Sequence, residues 1–289
     1  MCANEDFFTT RFNSLSTMLL EGLKASGGGQ NGVIGSFEDE HEVYFSNTNA
    51  EGNVYQAQYP RILEIVISKF LTNFKHYWTV ANLSSLNVVE TTIKYARSFY
   101  FGDKIKVIVN LRGIEKDHFK ISAIFQNVDT GQLHTRIVQK FYFSKEFSLP
   151  YPEFIDNGGF ELNILPEYVN MQRFVPHSQI AEFFGNFREH MGLLFWPGFK
   201  KEVGDEYALF TLKAHYQSYS PILLGDKIKF LFTVTDVKET SFTLQGDFVN
   251  LHDNTLKLRG FHKIGYAEIE DGQPHTVPIP DKLLPFLQI

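Results

Sequence analysis

Five residues occur twice in this chain, and that repetition limits what the chain can become. Gly102-Asp103-Lys104-Ile105-Lys106 and Gly225-Asp226-Lys227-Ile228-Lys229 are identical. At the same offset of 123, Phe119 meets Phe242, Phe125 meets Phe248, Asn127 meets Asn250, Leu133 meets Leu256 and Arg136 meets Arg259, without a gap. Upstream, Tyr95-Ala96-Arg97-Ser98 resembles Tyr216-Gln217-Ser218-Tyr219, with extra residues around Pro221 in the second copy. Such a chain is two copies of one unit, and the copies can pair as a homodimer of that unit would.

The unit can be read from its periodicity. Tyr59, Ile62, Leu63, Val66 and Phe70 fall on one helical face, and Pro60 suits the first turn, where its missing N–H costs nothing. Glu42 to Ser46 reads as a short strand before that helix, which ends before Trp78. Strand-like text follows over 88–95, 104–111, 119–127 and 133–143, divided by turn signals at Phe101-Gly102-Asp103 and Asp129-Thr130-Gly131. In the second copy a helix is expected over about 178–195, with Ile180, Phe183, Phe184, Phe187, Met191 and Leu194 as its apolar face. One buried helix followed by four or five antiparallel strands predicts a sheet wrapped around a helix, an α+β unit.

Two further segments complete the organisation. Phe8, Phe12, Leu15, Leu19 and Leu23 predict an amphipathic helix over 5–24, either docked on the body or serving as a lid or carrier handle. A glycine-rich stretch, 25–32, follows it. Pro150 and Pro152, with Asn157-Gly158-Gly159 beyond them, suit a surface crossing. The expected division is 1–32 for helix and linker, 33–148 for the first unit, 149–160 for the crossing and 161–289 for the second unit.

Composition excludes several function classes. A single cysteine, Cys2, permits no internal disulfide and no cysteine-built metal site. A net charge of -6 without long runs gives no footprint for nucleic acid, although a local basic patch could meet an acidic carrier protein or a nucleotide tail. No apolar run approaches the roughly 20 residues of a membrane helix, and the start of the chain lacks a secretory layout, so a cytoplasmic protein is expected. The 29 Phe and 13 Tyr suit wide cores or a lined apolar channel. His177, His190 and His215 have no spacing that supports a metal site.

The chemistry concentrates in Asn47-Thr48-Asn49-Ala50-Glu51-Gly52-Asn53-Val54-Tyr55 and the following Tyr59 and Arg61. These residues resemble the signature of hot-dog-fold thioesterases of the 4-hydroxybenzoyl-CoA thioesterase type, closest to the branch that unloads enediyne polyketides. In that branch Thr-Asn, Gly-Asn-Val-Tyr and a later Tyr recur at this spacing, and Tyr95, Arg97 and Gly102-Asp103 extend the resemblance over most of 41–143. It implies a tandem double hot-dog and an acyl-thioesterase of polyketide or fatty-acid metabolism. The substrate would be carried by acyl carrier protein or CoA, with no other cofactor. The resemblance places Asn49 where the family usually has a catalytic Asp, makes Gly52 the helix opener and matches Glu64 to a frequent helix carboxylate. The branch's additional basic helix residue falls at Ile67. The protein is then a pseudo-dimer within one chain, open to further homo-oligomerisation.

Physical chemistry supports the same corner. Backbone N–H groups at a helix opening polarise a thioester carbonyl, and Gly52, Asn53 and Val54 are the candidate donors. Asn49 cannot accept a proton at neutral pH, so it can only orient water or substrate through its amide. Tyr59 can hydrogen-bond the substrate. Each residue also has a structural use: Asn49 and Asn53 in turns or caps, Tyr59 in the core, Glu64 in a helix pair or as the missing base. In the second copy, Met171 to Gln179 keeps none of the motif. There Ser178 suits a helix cap, and His177 is either structural or an acid or base of a composite site. An acyltransferase or decarboxylase and a non-catalytic acyl-binding protein are the alternatives. A dehydratase is disfavoured because the corner has no His.

Overall fold

The computed structural model describes residues 33–48, 54–72, 86–114, 118–143, 147–156, 159–170, 173–195, 207–270 and 273–287. The helix expected over 5–24 lies outside them. In the first unit β1 (Val33–Glu42) leads through a short 3-10 turn (Phe45–Asn47) to α1 (Gln58–Thr72). Four strands follow: β2 (Leu86–Tyr95), β3 (Lys104–Ile114), β4 (His118–Asn127) and β5 (Leu133–Phe143). The second unit repeats the plan with β6 (Phe160–Asn163), α2 (His177–Phe195), β7 (Tyr207–Ser218), β8 (Lys227–Thr235), β9 (Ser241–Asn250) and β10 (Thr255–Glu270). It adds β11 (Gln273–Thr276) and a 3-10 helix at Asp281–Leu287. This is a double hot-dog: one antiparallel sheet in the order β1-β3-β4-β5-β2-β7-β10-β9-β8-β6, with β11 on β10.

Each helix fills the concave side of its own half. From α1, Tyr59, Leu63 and Val66 are buried in the same core as Val107, Val109, Ile121 and Phe125 of β3 and β4. Alternation along β4 supplies that face, with Phe119, Ile121, Ala123 and Phe125 inward. In the second half Phe184 of α2 takes the central place. A Cβ on Gly246 or Gly260 would lie 2.6 or 2.5 Å from its ring, so those two glycines are what let helix and sheet approach.

The strand expected at Glu42–Ser46 is corrected. The first strand is β1, which begins nine residues earlier at Val33, and the chain leaves it at Glu42. It was hidden because it is acidic: as an edge strand pairing only β3, it carries Glu38, Asp39 and Glu40, and such charges protect an edge from further pairing.

The identical pentapeptides build one turn twice. Gly102 and Gly225 take φ of 86° and 89°, a region open to glycine, while Asp103 and Asp226 carboxylates accept from Tyr100 N–H and Leu223 N–H at 2.8 Å. The same turn ties back to the start of each unit through Gly102 N–H to Val43 O and Gly225 N–H to Ile164 O. The paired asparagines likewise accept from their own turns, Asn127 from Asp129 N–H and Asn250 from His252 N–H.

The equation of Tyr95 with Tyr216 is also corrected. Ala96 and Arg97 N–H donate to His134 O, and Tyr219 and Ser220 N–H donate to Lys257 O, so the offset of 123 continues unbroken and Tyr95 matches Ser218. No extra residues lie around Pro221. The change comes earlier: Val54 N–H donates to Phe99 O and Val175 N–H to Ile222 O, an offset of 121 through the corner and the helix. Across the join, Thr92 lies opposite His215, its own partner under the repeat, so the pseudo-twofold axis runs between them.

Residues 147–156 are held on the second unit. Leu149 N–H donates to Tyr219 O, Lys229 pairs with Asp156, and Phe154 packs on Leu231, Val249 and Leu256. Arg259 donates from Nε and Nη2 to the two carboxylate oxygens of Asp247, and Nη2 also donates to Glu153 O at 2.9 Å.

Candidate active site

The corner is pinned from both ends. Thr48 and Val54 form an isolated bridge, Tyr55 N–H donates to Asn47 O at 3.0 Å, and Asn47 Oδ1 accepts from Tyr44 N–H at 3.1 Å. Asn49, Gly52 and Asn53 lie between these anchors, outside the described residues. Val54 is corrected as an oxyanion donor: its N–H is already bonded to Phe99 O at 2.7 Å. The N–H groups of Gln56 and Ala57, in the turn that opens α1, have no acceptor among the described residues. They stand at the positive end of that helix.

Around this turn a polar cluster is assembled from both units. Tyr95 Oη donates to Gln56 O at 3.1 Å. Arg188, half-buried on α2, donates from Nη1 to Gln56 Oε1 at 3.3 Å and to Thr211 Oγ1 at 3.1 Å. The Thr211 hydroxyl also donates to Gln56 Oε1. The Tyr55 hydroxyl presses on α2 at Gly185, where a Cβ would lie 1.6 Å from it. Tyr216 Oη lies 2.6 Å from His262 Nε2. Burial pushes the Tyr55 phenol up to about 12 and raises Tyr95 and Tyr216 strongly, and the Arg188 charge opposes the rise in all three. Burial, reinforced by Arg188, lowers His262 to about 3. These are neutral donors and acceptors around one fixed cation. Such a set can bind and polarise a carbonyl, and neither the three phenols nor His262 is poised as a base at neutral pH; the carboxylates that act on Tyr55 are those of Glu189 and Glu182.

The remaining candidates have other surroundings. Tyr59 is 2% exposed, its Oη accepts from Phe99 N–H at 3.3 Å, and its ring packs on Tyr95, Phe99 and Phe125. Burial raises it to about 12. Of the two uses considered for it, this is the core one. Glu64 is exposed and accepts from Ser178 Oγ at 2.5 Å, so it belongs to the second corner, and Ser178 ties the helices together rather than capping α2. His177 is buried with both ring nitrogens engaged, Nδ1 2.8 Å from Thr91 Oγ1 and Nε2 2.7 Å from Ser218 Oγ. Gln139 Nε2 donates to the same Thr91 hydroxyl at 3.2 Å. Burial lowers His177 to about 3, with His215 adding to the shift. It is a neutral strut between the units.

The repeat makes the asymmetry explicit. At the helix offset of 121 Arg188 matches Ile67, and at the strand offset of 123 Thr211 matches Val88 and Tyr216 matches Ile93. At the first corner all three are polar; at the second all three are aliphatic. The basic helix residue missing at Ile67 is therefore present in the other copy, on the helix that faces the first corner. Periodicity could not find Arg188, because it shows only the apolar stripe. Aligning Ile62, Leu63 and Val66 with Phe183, Phe184 and Phe187 would have exposed it.

Among the described residues no three His, Cys, Asp or Glu cluster as metal ligands, and no helix is long and apolar enough to cross a membrane. No curated protein matches the chain in sequence. In structure it is similar to a 12:0-ACP thioesterase from Umbellularia californica, at 10% identity and TM-score 0.60, covering 83% of this chain and 94% of that one. It is similar also to an acyl-ACP thioesterase from Bacteroides thetaiotaomicron, at 8% identity and TM-score 0.58, covering 79% and 97%. Residues 43–146, which hold the first corner, match the profile described as Thioesterase-like superfamily. The match to the Thioesterase-like superfamily therefore covers the first unit, and what the whole chain shares with the two acyl-ACP thioesterases is the double hot-dog fold.

Proposed function

We propose that the chain is an acyl-thioester hydrolase with one composite site. The first unit contributes the corner and the start of α1, and the second contributes Arg188. The observation that supports this most is the complementary asymmetry. The motif survives only in the first copy, and the basic helix residue survives only in the second, on the side that faces that motif.

In this reading the thioester carbonyl oxygen lies at the opening of α1, at the N–H groups of Gln56 and Ala57, with Gly52 and Asn53 of the motif as further candidate donors. Arg188 supplies positive charge as the oxyanion develops. Asn49 orients the attacking water, whose oxygen bonds to the carbonyl carbon. The C–S bond then breaks, and the thiol leaves with a proton taken from that water. With Asn49 in place of a carboxylate and His262 a poor base, the favoured substrate is an already electrophilic thioester, such as a β-ketoacyl one, carried on CoA or phosphopantetheine. No further cofactor is required. Polyketide or fatty-acid metabolism in the cytoplasm is the setting this implies.

Mass spectrometry of the chain incubated with a panel of acyl-carrier and acyl-CoA thioesters tests the reading. Free acid is expected. A new acyl-carrier species indicates transfer instead, loss of carbon dioxide indicates decarboxylation, and no turnover across the panel would leave a binding protein.

A further inference from the structure

On the convex face of the sheet, away from the helices, the strand registers place four cations in one row. Arg136 of β5 lies opposite Lys94 of β2, Lys94 opposite Lys213 of β7, and Lys213 opposite Lys263 of β10. Arg136, Lys94 and Lys213 are exposed, and none of the four has an ion-pair partner among the described residues. Like charges directly opposite in a sheet repel and cost stability, so a run of four across consecutive strands is a structural liability. It is more unexpected in a chain of net charge -6. The adjacent row on the same face is Val138, Thr92, His215 and Phe261, with Val138 43% exposed. In the row beyond, Glu90 is the single carboxylate across the four strands.

We propose that this face docks an acidic helix of the protein that delivers the substrate, so that the acyl group arrives on a carrier protein rather than on CoA. Neighbouring strands are about 4.8 Å apart, so the four cations span about 14 Å. Carboxylates on successive turns of a helix repeat at about 5.4 Å and can face such a row almost one to one. In the row beside it Val138 and Phe261, at either end, offer apolar seats for that helix's flank. A second copy of this chain is disfavoured as occupant, because the same cations would face each other across the axis. The row shares a strand with the site: Lys94 is followed in β2 by Tyr95, whose side chain turns to the opposite, concave side and bonds Gln56 O. This inference rests on the thioester reading for its partner but not for its surface.

The test uses the full chain, a labelled holo-acyl carrier protein, and the variant Lys94→Glu/Lys213→Glu, with exposed Lys238→Glu as control. Anisotropy titration should show carrier binding that weakens with salt and falls at least about tenfold in the double variant. With acyl-carrier substrate, KM should rise by a similar factor at unchanged kcat. Hydrolysis of the same acyl group on CoA or N-acetylcysteamine should be unaffected. The docking proposal is overturned if carrier binds wild type and variant equally, or not at all at low salt. It is overturned too if KM for the CoA thioester rises as much, or if the row binds phosphatidylglycerol vesicles and not the carrier. If no thioester is hydrolysed, the proposed function fails while the titration still decides the docking.

Discussion

Replacing Arg188 by Met tests the composite site most directly. The methionine keeps the apolar stem against α2's surroundings but removes the guanidinium and its bonds to Gln56 Oε1 and Thr211 Oγ1. Those two groups also bond each other, so neither is stranded by the change. The folding cost should therefore stay within about 1–2 kcal/mol. The catalytic cost should be larger. Loss of one preorganised charge aimed at an oxyanion typically removes about 3–4 kcal/mol of transition-state stabilisation, or about 10²–10³ in kcat. Arg188→Lys, which retains charge without the planar fork, should fall between the two. The assay is steady-state hydrolysis of a small thioester, with urea melts alongside and Glu64→Gln as the matched control at the opposite corner. If Arg188→Met keeps kcat/KM within about threefold of wild type, less than 1 kcal/mol, the cation has no part in the reaction and the composite site is refuted.

Four further outcomes are expected. Gly185→Ala would ordinarily stabilise a helix by about 1 kcal/mol, but its Cβ meets the Tyr55 hydroxyl, so a loss of about 1–3 kcal/mol and displaced Tyr55 fluorescence should be seen instead. A stability gain would mean that Tyr55 does not press on α2. His177 and His262 are neutral when folded, with values lowered to about 3, whereas an unfolded His titrates near 6.5. Their contribution is complete above pH 6.5 and is lost as pH falls towards 3, so the two together should cost about 4 kcal/mol by pH 5 in urea melts. His177→Gln should remove about half of that drop, and an undiminished drop would show that the ring charges without resistance. Asn49→Ala should lower hydrolysis with an unchanged melting curve; full activity would remove Asn49 from the reaction. Glu64→Gln should leave kcat unaltered and shift stability by less than about 1 kcal/mol, since its bond to Ser178 is exposed.

Much of the fold was legible because burial imposes period. The inward residues of α1 and the alternation of β4 are both consequences of one face being dry, and the repeated pentapeptide marks a turn that only glycine and an acceptor carboxylate can make. The edge strand β1 was not legible, because its residues are chosen to repel a neighbour rather than to fill a core. The alignment of Tyr95 with Tyr216 failed for a related reason. Similar letters were matched, whereas the backbone bonds of Ala96 and Tyr219 fix the register independently of side chain. At the site, the motif pointed to the corner but to only one wall of it. Arg188 and Tyr216 belong to the second unit, and no local pattern says which surface of one unit a side chain from the other will meet.

The axis between Thr92 and His215 has one more consequence. In a symmetric dimer every substitution is made twice, so neither corner can be altered without altering the other. Fusion of the units removes that restriction, and in the proposed composite site each half holds only one part of the apparatus. Severed in the crossing, the chain should behave as a split enzyme. Each fragment would expose an unpaired central strand, β2 or β7, and stay inactive alone, and activity would return only when those two edges found each other.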